Sequence, residues 1–347
     1  MSYKSGFICM KVTLIASFLL FFQTAVAQYD FSGVDALLQR NQKQLGNNVV
    51  ALVYKDGKII YQKQIGDFNA KAQAPIGASS QWLTTALVMT FVDQGKLDLD
   101  EPVSKYIPVF DKYMKSYVTL RHCLTGTTGI EREKSAGKVQ ERKKFQNLEE
   151  EMNSIAAKEI SNNPGKELFF GNYGFTIAAR VCEVVGKKAF ERLVQERVTR
   201  PLKMRATNFT NDEGYASSPG GGARASANDY INFMTMILNK GTFEGKKILS
   251  EESVAEMLKV QVTDIPVKWI PKGIEGLEPG LGDWLQKDES GKVVTVASPG
   301  LFGAFPYVDL CRNYAAVIVT AKLLGEQNKD FAWQFKNYVD DAVGDCK

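Results

Sequence analysis

Apolar residues recur along this chain in two rhythms, and the switches between them sketch the fold. Residues 49–54 and 58–65 are rich in β-branched and aromatic side chains, and Lys55-Asp56-Gly57 joins them. Asp-Gly between two such runs is a strong hairpin signal. Upstream, Phe31, Val34, Leu37, Leu38 and Leu45 recur at helical spacing, with Ser32 placed to cap. From Ala78 to about Thr210 the pattern is mostly helical. Its densest stretch begins at Ile76-Gly77-Ala78-Ser79-Ser80-Gln81 and stops at Gly95. Leu83, Ala86, Leu87, Val88, Phe91 and Val92 make that helix apolar on more than one face, as a central helix requires. Residues 175–185, 189–198 and 228–238 read as amphipathic helices, and Pro219-Gly220-Gly221-Gly222 as a tight turn before the last of them. Strand-like runs return at 280–286, 292–297 and 314–320, with 289–292 as a turn, and residues 329–343 close as a helix.

Composition changes this picture little. The chain has 347 residues, room for one large domain or two intimate lobes, with no internal repeat and no low-complexity linker. The N-terminus reads as an export signal. Lys4 and Lys11 are its positive region, residues 12–22 its apolar run, and Ala25-Val26-Ala27 a small-x-small cleavage site before Gln28. Cleavage after Ala27 predicts a secreted or periplasmic protein with no stable membrane anchor. The formal net charge of +4 falls by two when Lys4 and Lys11 leave. That is no electrostatic footprint for nucleic acid.

Candidate chemistry is narrowed by what is scarce. One histidine, His122, excludes a multi-His metal site, and there is no Cys-x-x-Cys, so neither metal nor cofactor is expected. His122 would also be the one base open to a Ser-His-Asp arrangement, and its setting in residues 118–125 favours a packed, hydrogen-bonded role. Cys123 and Cys182 sit in apolar helical contexts as buried thiols, whereas Cys346 can pair or stay free; the pairing stays open with Cys311 as the fourth.

Residues 76–108, IGASSQWLTTALVMTFVDQGKLDLDEPVSKYIP, resemble the serine β-lactamase and penicillin-binding-protein-like superfamily, in particular its class C-like esterases, β-lactamases and D-Ala-D-Ala peptidases. Further matches are Gly126-Thr127-Thr128-Gly129-Ile130 and Pro201-Leu202-Lys203-Met204. The resemblance covers roughly residues 30 to 340. It implies an α+β fold, an α/β sandwich in which N- and C-terminal segments share one antiparallel sheet flanked by helices, beside a mostly helical lobe. The signal would occupy residues 1–27 and a single domain residues 28–347. Its sheet lobe would be about 28–75 and 240–347, and its helical lobe about 76–239.

The family's catalytic signature is altered at its own positions. The nucleophilic Ser of Ser-x-x-Lys falls on Ala78 and the Lys on Gln81. Residues three apart at a helix start share a face, so a Lys there can take the Ser proton. Ala78 has no hydroxyl and Gln81 is no base. Ser79 and Ser80 are substitute nucleophiles to weigh, although Trp82 and Leu83 follow them at the Lys position. The one Ser-x-x-Lys in the chain, Ser135-Ala136-Gly137-Lys138, lies in a charged, poorly periodic stretch and reads as chance. The family's Tyr-x-Asn falls on Phe170-Gly171-Asn172, which keeps the ring and the Asn but loses the hydroxyl, the usual proton carrier. Its third motif falls on Ser298-Pro299-Gly300. By the resemblance, backbone N–H groups of Ala78 and Leu301 would form the oxyanion hole, and these donors survive side-chain loss. Ala78, Asn172, Ser298, Gly300 and Leu301 are therefore the expected ligand-binding positions. Trp82, Phe169, Phe170, Phe302, Phe305 and Tyr307 would supply aromatic walls, some of them shared with the core. Two readings follow. One is a catalytically impaired relative whose cleft binds a small-molecule, peptide, acyl or cell-wall-like ligand. The other is an active serine hydrolase of esterase, β-lactamase or carboxypeptidase type acting through Ser79 or Ser80.

Overall fold

The computed structural model describes residues 29–130, 144–210, 213–300, 303–322 and 329–346. Residues 1–28, which include the segment expected to be an export signal, and Ser135 to Lys138, Leu301 and Phe302 lie outside the described residues. After helix α1 (Ser32–Asn41), strands β1 (Val49–Lys55) and β2 (Lys58–Ile65) form a hairpin; β3 (Ala74–Pro75) leads through a 3₁₀ turn at Gly77–Ser79 into α2 (Ser80–Val92). Then come α3 (Val109–Lys112), α4 (Leu120–Thr125), α5 (Leu148–Ala156), β4 (Leu168–Phe169), α6 (Tyr173–Gly186) and α7 (Phe190–Val194). The chain continues through β5 (Arg224–Ala225), α8 (Ala227–Leu238), β6 (Thr242–Phe243), β7 (Lys246–Lys247), α9 (Glu251–Met257) and β8 (Val267–Trp269). It ends with β9 (Glu278–Pro279), β10 (Trp284–Lys287), β11 (Val293–Ala297), β12 (Ala304–Asp309), β13 (Tyr314–Thr320) and α10 (Lys329–Val343).

The large sheet has the order β2-β1-β13-β12-β11-β10-β9, antiparallel throughout. Both ends of the chain thus meet in one sheet, with the helical segment between them, as the sequence implied. The continuous apolar run of β1 is explained by its place between β2 and β13 and by cover on both faces. Val50 and Leu52 face the helical side, while Val49, Ala51 and Val53 face α1 and α10, because side chains alternate along a strand. In β13 the same alternation sends Val317 and Val319 one way and Ala316 and Ile318 the other. Helix α8 crosses β1, β12 and β13 on the helical side.

The hairpin turn forms as its sequence demands, with positive φ at both Asp56 and Gly57. Helix α2 buries every residue from Ser80 to Phe91, which explains its lack of a polar face. Gly95, at φ +64°, ends it by letting its own N–H and that of Lys96 turn back onto Val92 and Phe91. Helix α6 comes so close to α4 that a Cβ on Gly174 would sit 2.0 Å from the Cys123 carbonyl oxygen. His122 serves as part of the cap of α4: its Nδ1 accepts from the Thr119 N–H, and Thr119 Oγ1 accepts from the His122 N–H. Burial lowers its imidazole's affinity for a proton. Cys123 and Cys182 are buried free thiols, held protonated by burial, and Cys311 pairs with Cys346.

Three expectations shift. β12 was hidden in the sequence by Pro306, which argues against an interior strand. It is tolerated because the last β11 partner is Ala297, opposite Tyr307, so the missing N–H faces the end of β11. β10 starts at Trp284, since Gly280 donates to the Asp283 carbonyl and Gly282 takes φ +73°, turning residues 280–283 into a loop. The first helix ends at Asn41, and Ser32 makes no side-chain cap; Asp30 Oδ1 accepts from the Ser32 N–H instead.

Candidate active-site cleft

The three stretches singled out by the sequence meet at the head of α2. The 3₁₀ turn at Gly77–Ser79 leads directly into α2, and the first N–H groups of a helix have no intrahelical partner. From Ile76 to Ala86 every residue is buried except Ala78, which is partly exposed. Ala78 is therefore the side chain that the helix head presents outward.

Ser79 and Ser80 point inward. Both are fully buried. The Ser79 hydroxyl donates to the Ser298 carbonyl at 2.5 Å, and the Tyr230 hydroxyl donates to the Ser79 carbonyl at 2.8 Å. The Ser80 hydroxyl donates to the Gly77 carbonyl at 2.6 Å and accepts from the Ala223 N–H at 3.0 Å. These two serines tie the helix head to β11's exit and to the segment before β5. Ser80→Ala leaves the Ala223 N–H buried without a partner, so a stability loss of about 1–3 kcal/mol is expected. Chemical unfolding measures it.

Gln81 is 3% exposed, and its Nε2 donates to Asn172 Oδ1 at 3.3 Å. Asn172 opens α6 and is closed off behind by the 219–222 turn: a Cβ on Gly220 would lie 2.9 Å from the Asn172 Cβ. That turn follows the sequence reading, with Gly221 and Gly222 both donating to the Ser218 carbonyl. Phe170 is partly exposed; its N–H donates to the Trp269 carbonyl, and its ring lies 5.9 Å from Trp269 and 6.0 Å from Trp284. On the far side Ser298 is buried, its hydroxyl turned toward the Gly282 carbonyl at 3.5 Å. Gly300 runs so close to the helix head that a Cβ would meet the Ile76 carbonyl oxygen at 2.0 Å. Leu301, the expected second oxyanion donor, lies outside the described residues.

The aromatic walls are fewer than the sequence suggested. Trp82 is fully buried and packs edge-on against Phe233 at 5.2 Å. Phe305 and Tyr307 belong to the core on the opposite side of the sheet, with α1 and α10. They alternate onto a different face from the one the cleft uses. Phe169 and Phe170 remain, joined by Trp269, which is 39% exposed, and by Trp284. Trp269 was missed because β8 pairs with β4 only through the tertiary fold.

Gln81, Phe170, Gly171 and Trp284 line a cavity of about 20 Å³ together with Asp283, a residue the sequence did not single out. Asp283 is 2% exposed, and neither carboxyl oxygen has a hydrogen-bond partner among the described residues. The Trp82 indole N–H faces it and favours the ionised form, without closing a hydrogen bond. Burial is the stronger influence and pushes the Asp283 carboxyl well above the usual range. A larger cavity, about 930 Å³, lies elsewhere, between the β1–β2 hairpin and α8, and its lining includes Lys58, Lys203, Arg205 and Glu244. It is an open polar groove, in which Lys203 is paired with Glu244, and its lining includes none of Ala78, Gln81, Phe170, Asn172, Ser298 or Gly300.

A seven-stranded antiparallel sheet with a buried helix whose first turn faces a cleft defines the class of serine hydrolases that includes β-lactamases and penicillin-binding proteins. The chain belongs to the β-lactamase family: the family's sequence pattern matches residues 34–340. A crystal structure of a candidate β-lactamase from Bacteroides dorei superposes with a TM-score of 0.80 at 27% identity, covering 91% of this chain and 99% of that one. Among curated proteins, the D-alanyl-D-alanine-carboxypeptidase/endopeptidase AmpH of Escherichia coli K12 is 26% identical over 140 residues, 39% of this chain and 36% of its own length. The teichoic acid D-alanine hydrolase of Staphylococcus aureus is 25% identical over 182 residues, 50% of this chain and 44% of its own. The matched stretches thus span less than half of either curated relative.

Proposed function

We propose that this protein is an exported, catalytically impaired member of the β-lactamase family whose cleft binds a peptide, acyl or cell-wall-like ligand without forming an acyl-enzyme. The observation that carries the reading is the outward position of Ala78 at the head of α2, beside two serines that face inward. An acyl-transfer mechanism needs a hydroxyl that can reach a carbonyl and a group that takes its proton. At the family's positions this chain has a methyl group, a neutral amide and a phenyl ring. The backbone of the helix head and the Asn172 amide are kept, which supports binding over chemistry. Two of the relatives named above are, by name, a D-alanyl-D-alanine carboxypeptidase/endopeptidase and a teichoic acid D-alanine hydrolase, and the ligand class is taken from them. Export through a signal cleaved after Ala27 rests on the N-terminal sequence, and no membrane anchor, nucleic acid or cofactor enters the proposal.

The competing reading, hydrolysis through Ser79 or Ser80, requires a fully buried hydroxyl to leave a backbone acceptor and reach solvent. Intact-mass spectrometry after incubation with a reactive β-lactam and with a fluorophosphonate separates the two. The expected result is an unchanged mass. A stoichiometric adduct mapped to Ser79 or Ser80 would overturn the proposal.

A further inference from the structure

We infer that the open groove between the β1–β2 hairpin and α8 is a docking site for one strand of an anionic, hydroxyl-bearing polymer, whose units carry phosphate or carboxylate groups. The groove shares no residue with the cleft at the head of α2, so the inference stands apart from the reading of that cleft.

The acidic groups of the lining are engaged by the protein itself, and most of the basic groups are not. The charged side chains of the groove are Lys58, Lys71, Lys203 and Arg205 against Asp229 and Glu244. Glu244 pairs with Lys203. Asp229 is buried, and its Oδ2 accepts from the Ala206 N–H at 2.7 Å and from the Thr207 hydroxyl at 2.8 Å. Lys58, Lys71 and Arg205 are exposed, and their side chains make no ion pair or hydrogen bond among the described residues. Cations from three separate segments thus line one concavity with no carboxylate left to balance them. A concave wall of one charge sign concentrates its field on whatever enters.

The rest of the lining suits hydroxyl groups. Asn228, Asn232, Thr235 and Asn239 recur at spacings of four, three and four, so they share one face of α8 and its C-terminal end, and all line the groove. The amides of Asn228 and Asn239 and the hydroxyls of Tyr54 and Thr242 have no hydrogen-bond partner among the described residues. Amides and hydroxyls both donate and accept, as a hydroxyl-bearing ligand requires. Ile59, 40% exposed, and the Tyr54 ring offer apolar surface to the carbon skeleton between the anionic groups.

The walls are tied together without a ligand. The Asn228 N–H donates to the Ala70 carbonyl, Gln73 Nε2 to the Ala206 carbonyl and Asn232 Nδ2 to the Leu202 carbonyl, each at 3.0 Å. The segments that carry Lys71 and Arg205 are therefore fixed against α8, and binding need not order them. Size and shape favour a strand. A volume of about 930 Å³ is near the top of the range of roughly 300–1,000 Å³ typical of ligand sites, and the groove is open, so a chain can lie along it and leave at its ends. A membrane face would engage protruding cations, whereas these line a concavity.

The test is fluorescence anisotropy of labelled poly(glycerol phosphate), polygalacturonate and neutral dextran, titrated with the full-length mature protein. At least one anionic polymer is expected to bind about tenfold or more tightly than dextran, and the tighter of the two assigns phosphate or carboxylate. With three cations engaged, that affinity should fall about tenfold or more between about 50 and 200 mM salt. Replacing Lys58, Lys71 and Arg205 together by alanine should weaken binding at least about tenfold at the lower salt. Replacing Lys43, Lys96 and Lys292, three exposed lysines outside the groove, should change it by less than about twofold. Equal binding of dextran, no binding of either anionic polymer, or the same loss in both triple variants would overturn the inference. Capture by anionic phospholipid vesicles with no polymer binding would overturn it in favour of a membrane face. The polymer comparison and the salt series stand even if a variant folds poorly. An acyl adduct in the mass experiment leaves the groove untouched, so the two readings fall separately.

Discussion

Restoring three side chains together, Ala78→Ser, Gln81→Lys and Phe170→Tyr, is expected to turn a protein that forms no adduct into one acylated by a reactive β-lactam or ester. The gain should be at least on the order of 10³ in acylation rate over the unmodified protein, since a nucleophile and its proton handlers act as a unit worth up to about 10⁶ in comparable sites. Each change fits its place. Ala78 is partly exposed, so a hydroxyl there meets the cleft. A lysine at position 81 can direct its ammonium to Asn172 Oδ1, the atom that Gln81 now uses. A phenol at position 170 extends from a ring that is already partly exposed beside Trp269. Single restorations should give far less, because a hydroxyl without a base, or a base without a hydroxyl, cannot open the reaction. Stopped-flow acylation and intact mass read the outcome. A triple variant with a native melting curve that never acylates would show that the site has been placed on the wrong residues.

The largest effect on stability is expected from Asp309→Ala. Asp309 is 0% exposed at the end of β12. Its Oδ1 accepts from the N–H groups of Cys311 and Arg312, and its Oδ2 accepts from Lys336 Nζ at 3.0 Å and Arg312 Nη1 at 3.3 Å. Lys336 is itself 5% exposed and also bonded to Asp340 at 2.7 Å. One carboxylate therefore pins the β12–β13 turn to α10, beside the Cys311–Cys346 disulfide. Removing the carboxylate leaves Lys336 with Asp340 alone and the Cys311 and Arg312 N–H groups without an acceptor, a combined loss of about 3–5 kcal/mol. For a domain this large that corresponds to a fall in melting temperature of roughly 10 °C. Scanning calorimetry checks it. A fall of under about 2 °C would mean that water and Asp340 replace the carboxylate fully. Lys336→Met with Asp309→Leu should recover only the part due to the stranded Lys336 charge, since the Cys311 and Arg312 N–H groups still lose their acceptor.

Much of the fold was written in local pattern. The Asp-Gly hairpin, the central helix with Gly95 behind it, the 219–222 turn and the closing helix all depend on residues near one another in sequence. The proposed loss at Ala78, Gln81 and Phe170 is likewise a reading of the letters, made once the neighbouring motif sets the register. The buried Pro306 strand was not legible, because its tolerance depends on where another strand stops.

What the sequence alone determined is the family's fold pattern and the main elements that carry it; the proposal that Ala78, Gln81 and Phe170 stand at the family's catalytic positions also starts from the sequence. What only the tertiary structure decided is which groups around them face the cleft. Ser79 and Ser80 are set inward by hydrogen bonds to Ser298 and Ala223, 219 and 143 residues away. Trp269 reaches Phe170 through a short parallel pairing, and Asp283 comes beside Gln81 because the 280–283 loop folds against α2. Backbone periodicity encodes short-range geometry. Burial, accessibility and an unpaired carboxyl are properties of surfaces brought together from distant parts of the chain, and no local pattern of apolar and polar residues encodes them.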